Sequence, residues 1–414
     1  MTVHPMLRAL KRHKAGVALI VLQVALTLAI VCNAVFLIAQ RIERLQRPTG
    51  VAEDGLVRIS QTWLDAPDAD TPAGVEKLDA MQRADLEALR RLPGVIDVAA
   101  SDSMPLQGAV WSGDLRLTAT QKAASGQAAL YYGDDHLLPV FGLQLVAGRN
   151  FAPTEIGHQT IRGTGFPSVC IVSRAVAERL FPEGSALGRT IFLNLHPVTI
   201  VGIVARLQTP TLAEWGRDWA YDSIVLPVRL DGATASYALR VQPGQEQAVI
   251  HAARAVLFAL DPLREMPETW GTQTMREIRF KAYRGDRGTV VVLGIVCLIL
   301  LVVTAAGIVG LTSFWVGQRH RQIGIRRALG ARQVDILRYF QGENLAMAAG
   351  GVLLGSVLAV ALNLWLMTHG AIPRLPSIYL LAGAGALLAI GQVAAYVPAR
   401  RASRVPPVVA TRSA

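Results

Sequence analysis

The sequence predicts an α-helical membrane protein with four transmembrane helices and an inserted mixed α/β extracytoplasmic domain carried on a helical stalk. Only 17% of its 414 residues are charged, whereas soluble domains carry about 25%. Mean hydropathy is positive, at +0.36. Four uncharged apolar runs each reach the roughly 20 residues that a helix needs to cross a bilayer, and one long polar stretch separates the first run from the second.

The four apolar runs define the predicted domain order. Lipid offers no hydrogen-bond partners to the backbone, so each run should be a helix. The first run is too long for a signal-peptide core and lacks a small-residue cleavage site, which predicts an uncleaved anchor. The predicted spans are residues 15–40, 289–317, 344–368 and 378–397.

Basic residues predict the orientation of the spans. Residues 318–343 are rich in arginine, the tail 398–414 is also basic, and the loop 369–377 carries Arg374 alone. The positive-inside rule therefore places 318–343 and both termini, including the segment 1–14, in the cytoplasm. The domain 41–288 is then extracytoplasmic.

The net charge of +11 could indicate nucleic-acid binding. The basic residues cluster beside apolar runs, however, so contact with the lipid bilayer explains them better and no nucleic-acid partner is expected. The three cysteines, Cys32, Cys170 and Cys297, predict no disulfide framework, because two of them lie inside apolar runs.

The polar stretch shows a mixed α/β pattern. Helical segments are predicted at Asp85–Leu92, Ala175–Leu180 and Glu246–Leu260, and loops at Pro48–Gly74 and Thr154–Pro167. Strands are predicted at Val95–Ala100, Leu115–Thr118, Ser168–Val172, Thr190–Leu193, Val198–Val204, Ser223–Val228 and Tyr237–Val241.

No catalytic pattern is evident in this domain, so no enzyme, bound cofactor or metal is predicted. Asp134-Asp135-His136 is the one acid–histidine cluster, and a metal site usually needs three or more ligands, which favours a surface turn. No G-x-S-x-G frames a serine. Four tryptophans could line an apolar groove, although packing is the more economical interpretation: Trp111, Trp215, Trp219 and Trp270.

Helical spacing continues beyond two of the spans. Ile38, Ile42 and Leu45 extend the first span, and Glu277–Tyr283 looks helical before the second. These segments could form a stalk that carries motion between membrane and domain, or they could be ordinary juxtamembrane helices.

Residues 318–343 are too apolar to form a loop that is merely exposed to solvent, and they are too charged to cross a membrane. Gly330 interrupts the segment, and Val334, Ile336, Leu337 and Phe340 then predict a short amphipathic helix. Such a helix lies on a membrane or docks into a groove of a partner, and the pattern leaves both open.

The segment from Arg321 to Arg332, followed by Ile336, Leu337 and Glu343, resembles the signature of the FtsX-like permease domain. The basic end Pro398–Pro407 resembles that domain's closing motif. The preceding domain is similar to the periplasmic core domain of MacB-type ABC transporters, through Gly142–Phe151, Val169–Phe181 and Val198–Val204. The resemblance implies the permease subunit of an ABC transporter in the bacterial cytoplasmic (inner) membrane.

In that family, the loop between the second and third spans contacts the ATP-binding subunit. The resemblance therefore implies a docking role for this loop, with Glu343 as a coupling candidate at the membrane boundary. The implied docking residues are Arg321, Ile323, Ile325, Arg326, Arg327, Leu329, Gly330, Arg332, Ile336, Leu337 and Arg338.

The sequence departs from MacB because it contains no Gly-Lys dipeptide and hence no phosphate-binding P-loop. ATP and Mg²⁺ are thus expected to be used by a separate partner subunit. The tail also lacks the acidic residue and leucine usual in the family.

The resemblance implies a second permease chain, in a homodimer or a heterodimer, that works by mechanotransmission in efflux or export. A periplasmic adaptor and an outer-membrane channel are further candidate partners. Gly350, Gly351 and Gly355 predict close helix packing. A transmembrane sensor with an extracytoplasmic ligand domain is the alternative, although it explains the last two spans poorly.

Overall fold

A computed structural model describes residues 14–163, 165–212, 219–369 and 373–404. The chain forms two compact units: an α/β unit, residues 47–284, and a helical unit built from the residues before 47 and after 284. The predicted segment 1–14, except Lys14, the tail beyond 404 and Trp215 lie outside the described residues.

Ten described helices occur in chain order. They are α1 (Lys14–Leu45), α2 (Pro72–Arg90), α3 (Leu137–Phe141), α4 (Arg174–Leu180), α5 (Glu246–Leu260), α6 (Met275–Ala282), α7 (Arg284–Gln318), α8 (His320–Ala328), α9 (Gln333–His369) and α10 (Ser377–Ser403). A short 3₁₀ turn covers Pro153–Glu155.

Thirteen described strands build the α/β unit. They are β1 (Leu56–Trp63), β2 (Val95–Ala100), β3 (Trp111–Arg116), β4 (Gly126–Gly133), β5 (Leu145–Gly148), β6 (Gly157–Gln159), β7 (Val169–Ser173), β8 (Thr190–Leu193), β9 (His196–Val204), β10 (Ser223–Leu230), β11 (Thr234–Val241), β12 (Arg264–Glu265) and β13 (Thr272–Thr274).

Four described helices, α1, α7, α9 and α10, are long and apolar enough to cross a membrane. Each extends beyond its predicted span. α1 continues to Leu45, as the spacing of Ile38, Ile42 and Leu45 indicates. α9 begins at Gln333, so the second half of the segment 318–343 belongs to the third long helix and is not a separate short one.

Two glycines of α9 allow close contact with α1. A Cβ atom added at Gly351 would lie 2.7 Å from Val24 Cβ, and one added at Gly355 would lie 2.8 Å from the carbonyl oxygen of Ala25. Gly350 faces elsewhere, because its added Cβ would meet only Val21 Cγ2, at 3.9 Å. The two helices therefore pack backbone to backbone, as small residues permit.

α1 and α9 run in parallel. Moving along both chains, Gly351 lies beside Val24, Gly355 lies beside Ala25, and Asn33 Nδ2 donates to the carbonyl of Ala359 at 3.0 Å. The end of α9 at His369 is therefore on the same side of the helical unit as Leu45.

In the α/β unit, the first sheet has the order β12-β1-β11-β2, with β13 also paired to β1. β1 pairs antiparallel with β11 from Leu56↔Arg240 to Thr62↔Thr234. Helices α2 and α5 cover its apolar face, through buried Leu78, Leu89 and Leu257.

The second sheet follows the order β4-β3-β8-β9-β7-β10-β6, and a further pairing of β4 with β10 closes the path on itself. Alternating side chains from these strands fill its interior with Leu130, Val172 and Ile224. α4 adds Val176 and Leu180 to the same core.

Several predicted elements are found with adjusted ends, and two predicted loops are wrong. β2, β8 and α5 match the predicted ranges, and the helix predicted at Asp85–Leu92 is the second half of α2. The predicted loop Pro48–Gly74 contains β1 in the middle of a sheet and the capped start of α2. The loop Thr154–Pro167 likewise contains the short strand β6.

We predict that Gly355→Ala destabilises the helical unit, whereas Gly350→Ala does not. The new methyl group at 355 would overlap the backbone of Ala25, and overpacking costs about 1–3 kcal/mol. The check is the melting temperature of the detergent-purified variants. Equal melting temperatures would contradict the close α1–α9 contact.

Candidate functional site

The connection between α7 and α9 is a compact helical turn. α8 ends at Ala328 and is capped by Leu329, and Gly330 follows with φ of 98°, a conformation that glycine adopts without steric cost. The N–H of Ala331 donates to the carbonyl of Arg326 at 3.1 Å. Asp335 then accepts from the N–H of Arg332 at 3.0 Å and caps the start of α9.

Two of the predicted docking residues face inward. Ile323 and Ile336 are only 4% and 5% exposed, and they pack with Phe340, Ala399 and Ala402 in one cluster. Leu337 is partly buried against the same cluster. Ile323 and Ile336 thus fix the shape of the turn and have little surface for a partner, and the docking role of the segment stays a prediction.

The remaining predicted residues form an exposed surface, here called the α8–α9 surface. Leu329 is 83% exposed and Ile325 is 47% exposed, and Val334, which was not among the predicted docking residues, is 50% exposed. Four exposed arginines lie on the same segments: Arg321, Arg326, Arg332 and Arg338. Exposed apolar side chains among cations are typical of a protein-binding surface.

Two arginines hold this segment against the rest of the helical unit. Arg327 Nη1 donates to the carbonyl of Ser403 at 3.1 Å. The Arg326 guanidinium lies 5.0 Å from the centre of the Tyr339 ring, within the range of a cation–π contact. The turn is therefore tied to both α9 and α10.

Glu343 forms a buried ion pair that the sequence did not reveal. Arg319 Nη1 and Nη2 lie 2.7 and 3.1 Å from its two carboxylate oxygens, and the Glu343 side chain is 3% exposed. This fork-to-carboxylate geometry is the strongest form of such a pair. Arg319 was one arginine among six in a basic segment, and no spacing rule singles it out.

In the α/β unit, a cavity of about 580 Å³ lies beside Trp111, Tyr132, Ile161 and Asp102. Asp102 accepts from the N–H of Tyr132 at 2.8 Å and from Ser103 Oγ at 2.9 Å. Burial of its carboxyl group raises the pKa of Asp102 to about 7. Trp270 borders a different cavity and Trp219 is buried, so these three described tryptophans do not share one groove.

One cluster in the α/β unit has the composition of a metal site. Potential ligand atoms of Asp79, His158 and Asp231 all lie within 4.8 Å of one another. Arg229 Nη2 already lies 2.6 Å from one oxygen of Asp79, and Arg83 lies 2.8 Å from the other. The guanidinium groups take the place of a cation here, so the cluster is an ion-pair network and we assign no metal to it.

The predicted Asp134-Asp135-His136 turn makes local contacts. His136 Nδ1 lies 2.9 Å from a carboxylate oxygen of Asp97, and Asp134 accepts from the N–H of Ala100 at 3.2 Å. Burial raises the pKa of Asp134.

We predict that Glu343→Ala lowers the free energy of unfolding by about 3–5 kcal/mol, because it leaves the Arg319 charge buried and unpaired. Replacing both partners by methionine should restore much of the loss. The measurement is thermal unfolding in detergent. Glu87→Ala, at an exposed ion pair, is the matched control and should change stability by about 0–1 kcal/mol. A small effect of Glu343→Ala alone would show that the pair is solvated.

We predict that Asp102→Asn stabilises the protein at pH 8 but not at pH 4. A carboxyl group whose pKa is raised in the folded state favours folding at low pH, and this contribution is lost as pH rises from about 4 to 7. Asparagine keeps an acceptor for Tyr132 and avoids the buried charge. The melting temperature should rise by roughly 4 °C at pH 8. Asp70→Asn, at an exposed carboxylate of the same cavity, should have no effect.

Two protein families match the chain over successive regions. The MacB-like periplasmic core domain family matches residues 15–256, and the FtsX-like permease C-terminal family matches residues 294–407.

Curated relatives include the macrolide export ATP-binding/permease protein MacB of Chromobacterium violaceum, 27% identical over 65% of this chain and 41% of that protein. The pyoverdine export ATP-binding/permease protein PvdT of Pseudomonas savastanoi is 27% identical over 84% of this chain and 50% of that protein. The ABC transporter permease YvrN of Bacillus subtilis is 26% identical over 68% of this chain and 69% of that protein. The chain thus spans about half the length of the MacB and PvdT relatives.

Among solved structures, the periplasmic region of MacB from Actinobacillus actinomycetemcomitans aligns with 13% identity and a TM-score of 0.36, covering 57% of this chain and 97% of that one. The family matches, which together extend from the first membrane helix to the basic tail, assign the chain: it belongs to the MacB/FtsX-type family of ABC transporter permeases.

Proposed function

We propose that this chain is the membrane subunit of an export or efflux transporter, in which a separate ABC ATP-binding subunit hydrolyses ATP with Mg²⁺ and docks on the α8–α9 surface. The observation that carries the proposal is the exposure of Leu329 at the tip of the turn. The other side of the turn packs in the buried cluster of Ile323, Ile336 and Phe340. No P-loop occurs in these 414 residues, so ATP is proposed to bind outside them. Under this proposal, 318–343 and both termini lie in the cytoplasm.

The proposed coupling is mechanical. A partner that closes on ATP would pull the α8–α9 surface, and the Arg319–Glu343 pair would pass that displacement to α9. The charged groups of the described spans lie near the helix ends, which favours action on a substrate already outside the cytoplasm or in the outer leaflet.

The proposal includes a second permease chain. α7 is the least covered of the four long helices, with exposed Val292, Leu298 and Val302 along its length. This apolar surface would face lipid or the second chain. Relatives named for macrolide and pyoverdine export support the transport class, and an adaptor with an outer-membrane channel would extend the route across a second membrane.

We predict that Leu329→Asp abolishes copurification of an ABC ATPase with the tagged chain in mild detergent and abolishes ATP-driven activity of the complex. A carboxylate would break apolar contact at the centre of the proposed interface. The matched control is Leu64→Asp, at a leucine of the α/β unit that is 65% exposed.

Gly330→Pro is a second test of the same interface, because proline cannot adopt the positive φ of this turn. Retention of the ATPase by both folded variants would contradict the docking assignment. Absence of any ATPase from the wild-type eluate, repeated with crosslinking, would favour the sensor alternative.

A further inference from the structure

The cavity of about 580 Å³ beside Trp111 lies between the two sheets of the α/β unit. Ser236 lines it from the first sheet, and Tyr132 and Leu230 line it from the second. Cavities of this volume hold small organic ligands. We call it the inter-sheet cavity.

Gln82 turns an unused hydrogen-bond acceptor toward the inter-sheet cavity. The residue lines the cavity and is 3% exposed. Its Nε2 donates to the carbonyl of Leu230, and because a carbonyl can only accept, this bond fixes the orientation of the amide. Oε1 accepts no hydrogen bond from the described residues, yet it keeps accessible surface, unlike the fully enclosed Oδ1 of Asn344. A ligand that donates a hydrogen bond would be stabilised at Oε1.

The charged side chains around the cavity are mainly acidic. Of the described lining residues, three are aspartates, namely Asp70, Asp102 and Asp231, and two are arginines. Arg229 is already paired with a carboxylate at 2.6 Å, whereas Arg162 is exposed. Since the whole chain has a net charge of +11, this local excess of carboxylates is not a general property of the protein. It favours a positively charged ligand.

Trp111 offers an aromatic face to the same ligand. Its side chain is 49% exposed, although the residue begins the paired strand β3. Ile161, which is 42% exposed, adds an apolar surface to the cavity wall. Cations bind over the faces of tryptophan rings, so the wall suits a cation with an apolar body.

The inter-sheet cavity is elongated. Asp70 lies just before α2 and Gln82 lies in the middle of that helix, so about 15 Å of helix axis separates them. Tyr132 pairs with Leu226 of β10, whereas Gln82 contacts Leu230 of the same strand, roughly 13 Å further along. The polar groups are therefore spread along the cavity, and one compact ion could not contact all of them.

We propose that the inter-sheet cavity binds a linear polyamine. Its ammonium groups pair with Asp70 and Asp102 and donate to Gln82 Oε1, and its methylene groups pack on Trp111. An ammonium group beside Asp102 favours the ionised form of that carboxyl group. A compact inorganic cation would leave the aromatic face unused. This proposal does not depend on the ATPase partner.

The test is isothermal titration calorimetry of spermidine into the full-length protein in mild detergent at pH 8. One spermidine should bind per chain, and more tightly than putrescine, a shorter diamine that cannot reach both Asp70 and Asp102. Asp70→Asn and Asp102→Asn should each weaken spermidine binding about three- to tenfold, because each removes one charge pair. Arg162→Gln should strengthen binding, because it removes a competing cation.

Glu183→Gln, at an exposed carboxylate outside the cavity, is the matched control and should bind spermidine as the wild type does. No binding by the wild type, or equal affinity of the wild type and both aspartate variants, would overturn the proposal. Equal affinity for putrescine would also overturn it, because the ligand would then not span the cavity. Weaker binding by Arg162→Gln would contradict the assigned charge of the ligand.

Discussion

Polar groups inside a membrane must find partners within the protein, and this constraint organises the helical unit. Thr27 and Thr304 join α1 to α7 through hydroxyl groups 2.8 Å apart. Asn344 Nδ2 donates to the carbonyl of Gly391 at 2.9 Å and joins α9 to α10. These polar side chains thus turn inward, where they link neighbouring helices.

The same constraint explains how the carboxylate of Glu343 can be buried in the helical unit. A carboxylate with 3% exposure is costly unless its charge is balanced and its oxygens accept hydrogen bonds. Arg319 does both, and it also joins the end of α7 to α9. In the sequence, Glu343 suggests only the boundary of a membrane span. In the structure, its ion pair with Arg319 links α7 to α9.

The sequence predicted the four long helices because hydrophobic length is a strong signal. It missed β1, because Arg58, Ser60 and Gln61 made the segment Leu56–Trp63 look polar. These side chains are buried but paired, for example Gln61 with Asp85 at 2.8 Å. Such partners are distant along the chain, so composition alone cannot reveal them.

The candidate site was predicted in part. The position of the α8–α9 turn and the break at Gly330 follow from the resemblance and from local sequence. Which side chains face outward does not, because Ile323 and Ile325 are only two residues apart yet one is buried and the other exposed. That division depends on the cluster with α10, which the local periodicity of the loop does not encode.

The spacing of Gly351 and Gly355 resists axial sliding of α9 along α1. A slip of one helical turn, about 5.4 Å, would bring Ala359 to the place of Gly355, where Ala25 and Leu28 leave no room for a methyl group. Sliding of α9 along α1 would therefore require the backbone contact at Gly351 and Gly355 to open first. The register of the two helices is thus fixed by backbone packing.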